Sequence, residues 1–272
     1  MQIVGIALVR NEDLHVERAL RNVAAFCDRI HAVDHMSTDG TWEVLRGMAG
    51  ELDDLDVRRA RHTRESHRVL EPYAGTDTWV LRVDGDELYD PAGLERLRPL
   101  LEQGALERAF RVQANVLHCV SLDSDVNVAA GYLSPPSRPI TSLFNLGAVE
   151  SWKGGMERLE GGQPVFRDGY AWSSVDPLYE RYSFDDSPLR YLHLCFLRRS
   201  SEDPEVVEEP RLTISESGVH RRGLVGTLER AVRRPHASES LDEVRARGST
   251  WKLEKYRRGP LVEMDAAPFL SP

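Results

Sequence analysis

Hydrophobic and polar positions fall into short alternating blocks along the first third of the chain. Gln2 to Val9 is a run of Ile, Val, Ala and Leu that predicts a first strand buried on both faces. It ends in the polar segment Arg10-Asn11-Glu12-Asp13. From Leu14 the apolar positions Val16, Ala19, Leu20, Val23 and Phe26 recur at helical spacing, so a first helix packs back on that strand. Ile30 to Val33 reads as a second strand. Thr38 or Asp39 is the expected N-cap of a second helix carrying Trp42, Val44, Leu45 and Met48. Val57 to Ala60 reads as a third strand and Arg61 to Leu70 as a polar loop or short helix. Trp79-Val80-Leu81-Arg82-Val83 is then an apolar run that stops abruptly at Asp84-Gly85-Asp86-Glu87. Strands and helices alternating at such short intervals predict a parallel, doubly wound sheet, because parallel neighbours need crossover helices.

The pattern loosens after Asp90-Pro91. A helix is expected over Ala92 to Leu101 with Leu94, Leu97, Leu100 and Leu101 inward, then a strand over Ala109 to Val120 that continues the sheet. Ser121 to Gly169 is rich in turn residues and reads as loops and short strands laid over the carboxyl edge. Tyr191 to Leu197 is a further strand. Glu202 to Pro210 is acidic and proline-containing, a natural linker. The chain beyond Pro210 has little apolar content, so a partly disordered or helical appendage is expected there.

Composition narrows the function classes. With 272 residues, 41% of them hydrophobic, the chain can bury a sizeable core. A formal net charge of −9 argues against nucleic-acid partners, which would select a basic face. Cys27, Cys119 and Cys195 are odd in number and embedded in apolar runs, which favours reduced thiols and a cytoplasmic location. Neither a targeting segment nor an apolar stretch long enough to span a bilayer is read, and homo-oligomerisation is left open.

The candidate chemistry sits where the fourth strand ends. In an open α/β sheet, ligands bind beyond the carboxyl ends of the strands. There Asp84 and Asp86, separated by a glycine that allows a tight turn, can offer hard oxygen ligands to one divalent cation with a diphosphate on its other side.

Three segments taken in order carry a resemblance: Val9-Arg10-Asn11-Glu12; Ile30-His31-Ala32-Val33-Asp34 with Ser37-Thr38-Asp39-Gly40-Thr41; and Trp79 to Glu87. Together they are similar to the bacterial family 2 glycosyltransferases of GT-A fold, and Tyr191-Leu192-His193 with Arg198-Arg199-Ser200 resembles the late His-containing segment of that group. The resemblance implies an α/β, Rossmann-like, mostly parallel central sheet flanked by helices. It further implies residues 1–120 as the nucleotide-sugar half, 121–201 as a loop-rich acceptor region completing the catalytic domain, and 202–272 as a C-terminal linker and appendage. The implied activity is transfer of a sugar from a nucleoside-diphosphate sugar to an acceptor hydroxyl, with inversion. Donor contacts are then expected from Ala7, Val9, Arg10, Asn11, Glu12, Asp34, Asp39 and Asp84, and a Mn2+ or Mg2+ ion on Asp86 and His193. His35 stands where the family often has an acidic residue or Asn. Arg198, Arg199 and Lys252 are candidates to neutralise the diphosphate.

Inverting transfer needs a carboxylate base for the acceptor hydroxyl. Glu157 is the first candidate, beside Trp152 and a glycine pair that offer a sugar platform and a mobile loop, with Glu160 and Asp168 as the others. Two other readings compete: a nucleotidyltransferase, which would want an early glycine-rich phosphate loop that this chain lacks, and an inactive nucleotide- or sugar-binding module on the same fold.

Overall fold

The computed structural model describes residues 1–61, 67–136, 138–153, 159, 162–202, 256 and 258–270. Residues 1–201 and 256–272 form one compact unit and 202–255 a second. Glu157, Glu160, Trp251 and Lys252 lie outside the described residues.

The first unit begins with β1 (Gln2–Val9), α1 (Val16–Ala24), β2 (Arg29–Asp34), α2 (Thr41–Met48), β3 (Leu55–Arg59), β4 (Thr78–Val83), β5 (Glu87–Tyr89) and α3 (Pro91–Glu102). It continues through β6 (Arg111–Asp123), β7 (Val128–Ser134), β8 (Ile140–Asn145), β9 (Val149–Lys153), β10 (Gln163–Phe166), β11 (Val175–Pro177), β12 (Arg190–His193), β13 (Leu261–Asp265) and α4 (Ala267–Leu270). The main sheet runs β13-β7-β6-β8-β4-β1-β2-β3. Its β4-β1-β2-β3 portion is wholly parallel, whereas β8 pairs antiparallel with both β4 and β6. This is the Rossmann-like α/β architecture of GT-A type that the sequence predicts.

Alternation along β1 explains how the layers form. Ile3, Ala7 and Val9 face Val16, Ala19, Leu20 and Val23 of α1, in a core shared with Leu94, Leu97 and Leu101 of α3. Val4, Ile6 and Leu8 enter a second core with Val33, Val80, Phe144 and Phe110. Apolar residues on both faces are what a strand covered on both sides requires.

Local differences from the sequence expectation have identifiable causes. Helix α2 starts at Thr41 with Gly40 as its N-cap and no side-chain cap, because the Asp39 carboxylate instead accepts from the Thr41 amide at 2.9 Å. Strand β12 stops at His193, since the Leu194 amide turns away to donate to the Asp86 carbonyl at 2.8 Å. The turn-rich region 121–169 supplies two strands of the main sheet, β7 and β8, besides the separate β9–β10 pair. Residues 261–265, within the stretch read as an appendage, form β13 and pair with β7. Among the described residues, no helix is long and apolar enough to cross a membrane.

Candidate functional site

The chain fills β1, β2 and β3 on one side of β1 and then returns to its other side for β4. This reversal makes a topological switch point between β1 and β4, where the crossovers diverge and leave a crevice beyond the carboxyl ends. Each of the two strands ends there in acidic residues. Glu12 follows β1 and Asp84, Asp86 and Glu87 follow β4, and all four are at most 1% exposed. The two turns meet at Gly85: a Cβ there would lie 2.6 Å from Glu12 Oε2, so a larger residue would have to displace the Glu12 carboxylate.

The segment after β12 closes over this meeting point. Arg199 Nη1 donates to Asp86 Oδ2 at 2.7 Å and stands 3.7 Å from Glu12 Oε1. His193 Nε2 lies 3.8 Å from the same Asp86 oxygen. Beneath them Arg82 donates to Glu87 Oε1 at 2.9 Å, and the Asp84 amide donates to Glu87 Oε2 at 3.2 Å. Burial opposes the Arg82 charge, but Glu87, Tyr191, Asp84 and Tyr89 together outweigh it and hold the guanidinium firmly protonated. Burial, reinforced by Glu87, likewise keeps the Tyr89 and Tyr191 phenols neutral far above their ordinary range.

A second group of polar residues forms where β2 ends. Asp34 Oδ1 accepts from the amide and hydroxyl of Ser37, and Oδ2 accepts from Arg59 Nε at 2.7 Å. The Arg59 guanidinium in turn lies 4.5 Å from the centre of the Trp42 ring, within cation–π range. Asn11 adopts φ 53°, a left-handed conformation that asparagine tolerates. Its amide donates to Ser37 Oγ at 3.0 Å while its side-chain oxygen accepts from the Thr38 amide at 2.9 Å. Asp39 Oδ2 accepts from Ser200 Oγ at 2.6 Å, and Asp13 accepts from the Ser201 amide at 2.7 Å. Both βα loops are therefore fastened to residues 198–201, which include Arg199.

The structure thus gathers Glu12, Asp84, Asp86 and His193 on one side of the crevice and Asn11, Asp34 and Asp39 on the other. Ala7 and Val9 are buried in the core of β1, and the Val9 carbonyl accepts from the His35 amide at 2.9 Å. Arg10 is half-buried. Trp152 joins an aromatic cluster with Phe110 and Trp172, and Asp168 is exposed in the turn after β10.

Sequence reasoning did not single out His118. It lies in the middle of β6, fully buried, with its Nδ1 3.0 Å from His193 Nδ1 and 4.0 Å from Cys195 Sγ. The three donor atoms of His118, His193 and Cys195 lie within 4.8 Å of one another. A lone His in an apolar strand carries no sequence signal of such a neighbour.

No protein-family model matches the chain, and no curated protein matches it. Solved structures resemble parts of it. TarS from S. aureus is 18% identical over 46% of this chain and 22% of its own, with a TM-score of 0.33. The mannosyltransferase PcManGT from Pyrobaculum calidifontis, in complex with GDP-Man and Mn2+, is 22% identical over 42% of this chain and 35% of its own, with a TM-score of 0.34. The 4-diphosphocytidyl-2C-methyl-D-erythritol synthase from Anaerococcus prevotii is 16% identical over 55% and 72%, with a TM-score of 0.35. The matched part of the chain therefore spans well under half the length of the first two.

Proposed function

We propose that the protein is a metal-dependent glycosyltransferase that moves a sugar from a nucleoside-diphosphate sugar to an acceptor hydroxyl with inversion. The observation that carries this reading is the convergence of Asp84, Asp86, Glu12 and His193 at the switch point between β1 and β4. Carboxylate oxygens with one imidazole nitrogen suit Mn2+ or Mg2+, the imidazole tilting the choice towards Mn2+. Asp86 and His193 would hold the ion, with Asp84 beside them. The chemistry that such an ion would supply there is Lewis-acid stabilisation of the charge on a departing nucleoside diphosphate.

This chain's own residues do the rest. Arg199, within reach of both Asp86 and Glu12, exchanges its carboxylate partner for a diphosphate oxygen as the donor enters. Asp34, with Arg59 and Trp42, orients the nucleoside, and the backbone of the Ala7–Glu12 segment lines its other side. Residues 121–201 supply the acceptor half. There Glu157 takes the proton from the acceptor hydroxyl as that oxygen attacks the anomeric carbon. The sequence pattern around Trp152 supports this assignment.

The test titrates UDP, GDP and dTDP with and without Mn2+ and follows the melting temperature. Stabilisation by one diphosphate that requires Mn2+ and is lost in Asp86→Ala supports the reading. Absence of any response, with Asp86→Ala behaving as the parent, overturns it and favours a binding module without metal chemistry.

A further inference from the structure

We infer that Met36 is a nucleobase-contact residue whose side chain lies against the face of the base in a bound nucleoside diphosphate. The inference rests on the proposed placement of the nucleoside beside Asp34 and deepens it.

The backbone at Met36 is held in a conformation that its side chain disfavours. The His35 amide donates to the Val9 carbonyl at 2.9 Å, which ties residue 35 to the end of β1. Two residues later the Ser37 amide donates to Asp34 Oδ1 at 3.0 Å, and Ser37 Oγ accepts from the Asn11 amide at 3.0 Å. Between these two anchors the chain reverses, and Met36 takes φ 57°. In that left-handed region Cβ crowds the following carbonyl oxygen, and methionine seldom adopts it.

Among the described residues, those other than glycine with positive φ are Asn11, Met36, Asn127 and Leu159. Asparagine tolerates the conformation. Leu159 is 3% exposed and joins the second core, so burial of its side chain offsets the backbone cost. Met36 is 40% exposed and joins neither core. An unfavourable backbone and an exposed apolar side chain thus coincide at one position, and the packing of the described residues repays neither.

A base supplies the missing contact. Met36 follows Asp34 by two residues, in the loop whose Ser37 and Thr38 bond to Asn11 across the nucleoside side of the crevice. Its thioether is unbranched and polarisable and packs well against flat aromatic rings. Every base presents such a face, whatever its hydrogen-bonding edge. Met36 therefore adds affinity for the base and leaves the choice among bases to other residues.

The experiment uses whichever of UDP, GDP and dTDP stabilises the parent, and inorganic pyrophosphate as a probe that lacks the base. Both are titrated calorimetrically at saturating Mn2+, and urea unfolding is followed alongside. Met36→Asn removes the thioether and suits the left-handed backbone. It is expected to keep or raise the urea midpoint, to weaken the nucleoside diphosphate about tenfold, and to bind pyrophosphate like the parent. Met36→Leu retains an apolar side chain of similar volume and is expected to hold the nucleoside diphosphate within about threefold of the parent.

Parental affinity for the nucleoside diphosphate in Met36→Asn overturns the inference. Equal weakening of pyrophosphate also overturns it, because the effect would then lie on the phosphates, and so does a lower urea midpoint, because the side chain would then serve the fold. Asp86→Ala separates the two readings. If no diphosphate binds the parent in a Mn2+-dependent way and Asp86→Ala behaves like it, the donor site fails and Met36 with it. If the parent binds, Asp86→Ala does not and Met36→Asn matches the parent, only the role of Met36 fails.

Discussion

Arg199 donates to Asp86 across 2.7 Å, so the carboxylate proposed as a cation ligand is held by a guanidinium from the segment after β12. A cation on Asp86 would compete with the guanidinium for that oxygen. Arg199→Ala should therefore bind Mn2+ alone about tenfold more tightly, the equivalent of one charge-assisted hydrogen bond of about 1.5 kcal/mol. The same variant should bind nucleoside diphosphate about tenfold more weakly at saturating Mn2+. Calorimetric titration of each species alone and together checks both directions, and a fall in Mn2+ affinity would contradict the competition.

The Arg82–Glu87 pair supports the floor of the site and is almost fully buried, with side chains 4% and 1% exposed. Removing one charge leaves the other stranded, so Glu87→Gln should cost about 3–5 kcal/mol in urea unfolding. Replacing both, as Arg82→Met with Glu87→Leu, should be markedly less costly than the single change. A double variant as unstable as the sum of the singles would show that the pair does not act as a unit.

Two histidines set an acid limit on stability. Burial lowers the pKa of His15 and of His31 from the ordinary 6.5, outweighing the Arg198 carbonyl and Asp86 at the first and Asp56 at the second. The unfolded chain therefore binds more protons just below that value, and stability that is complete above pH 6.5 is lost as pH falls towards the lower folded values. Urea midpoints should decline through this window, and His31→Gln should flatten the decline. A midpoint unchanged across it would show that neither ring is penalised by burial.

Glu157→Gln should retain Mn2+-dependent binding of the diphosphate while transfer falls at least about 100-fold. Product formation from radiolabelled donor gives the rate and the melting shift gives binding. Transfer at the parental rate would move the base to another carboxylate, with Glu160→Gln and Asp168→Asn the next variants to assay.

The parallel half of the fold was legible because each of its strands is an uninterrupted apolar run next to a helix of regular spacing. Asp84 and Asp86 were legible for the same reason, since an apolar strand that breaks into carboxylates announces what it delivers. Strand β8 was obscured by the turn residues around it. Strand β13 was obscured because its positions are half-buried or exposed and carry only Val262 and Met264 into the core. His118 could not be found because its partner lies 75 residues away, joined by a pairing of strands that local pattern does not encode.

The bonds from Ser201 to Asp13 and from Ser200 to Asp39 bridge 188 and 161 residues, respectively. Closing such loops carries an entropic cost that is repaid only once the intervening sheet has assembled. Both halves of the crevice therefore exist before the strap that joins them, and a nascent chain ending at His193 would hold its acids without Arg199. In the finished protein the strap is correspondingly the part that opens without global unfolding, and the amides of Leu14 and Ser201, which donate across it, should exchange with solvent sooner than those of β1 and β4.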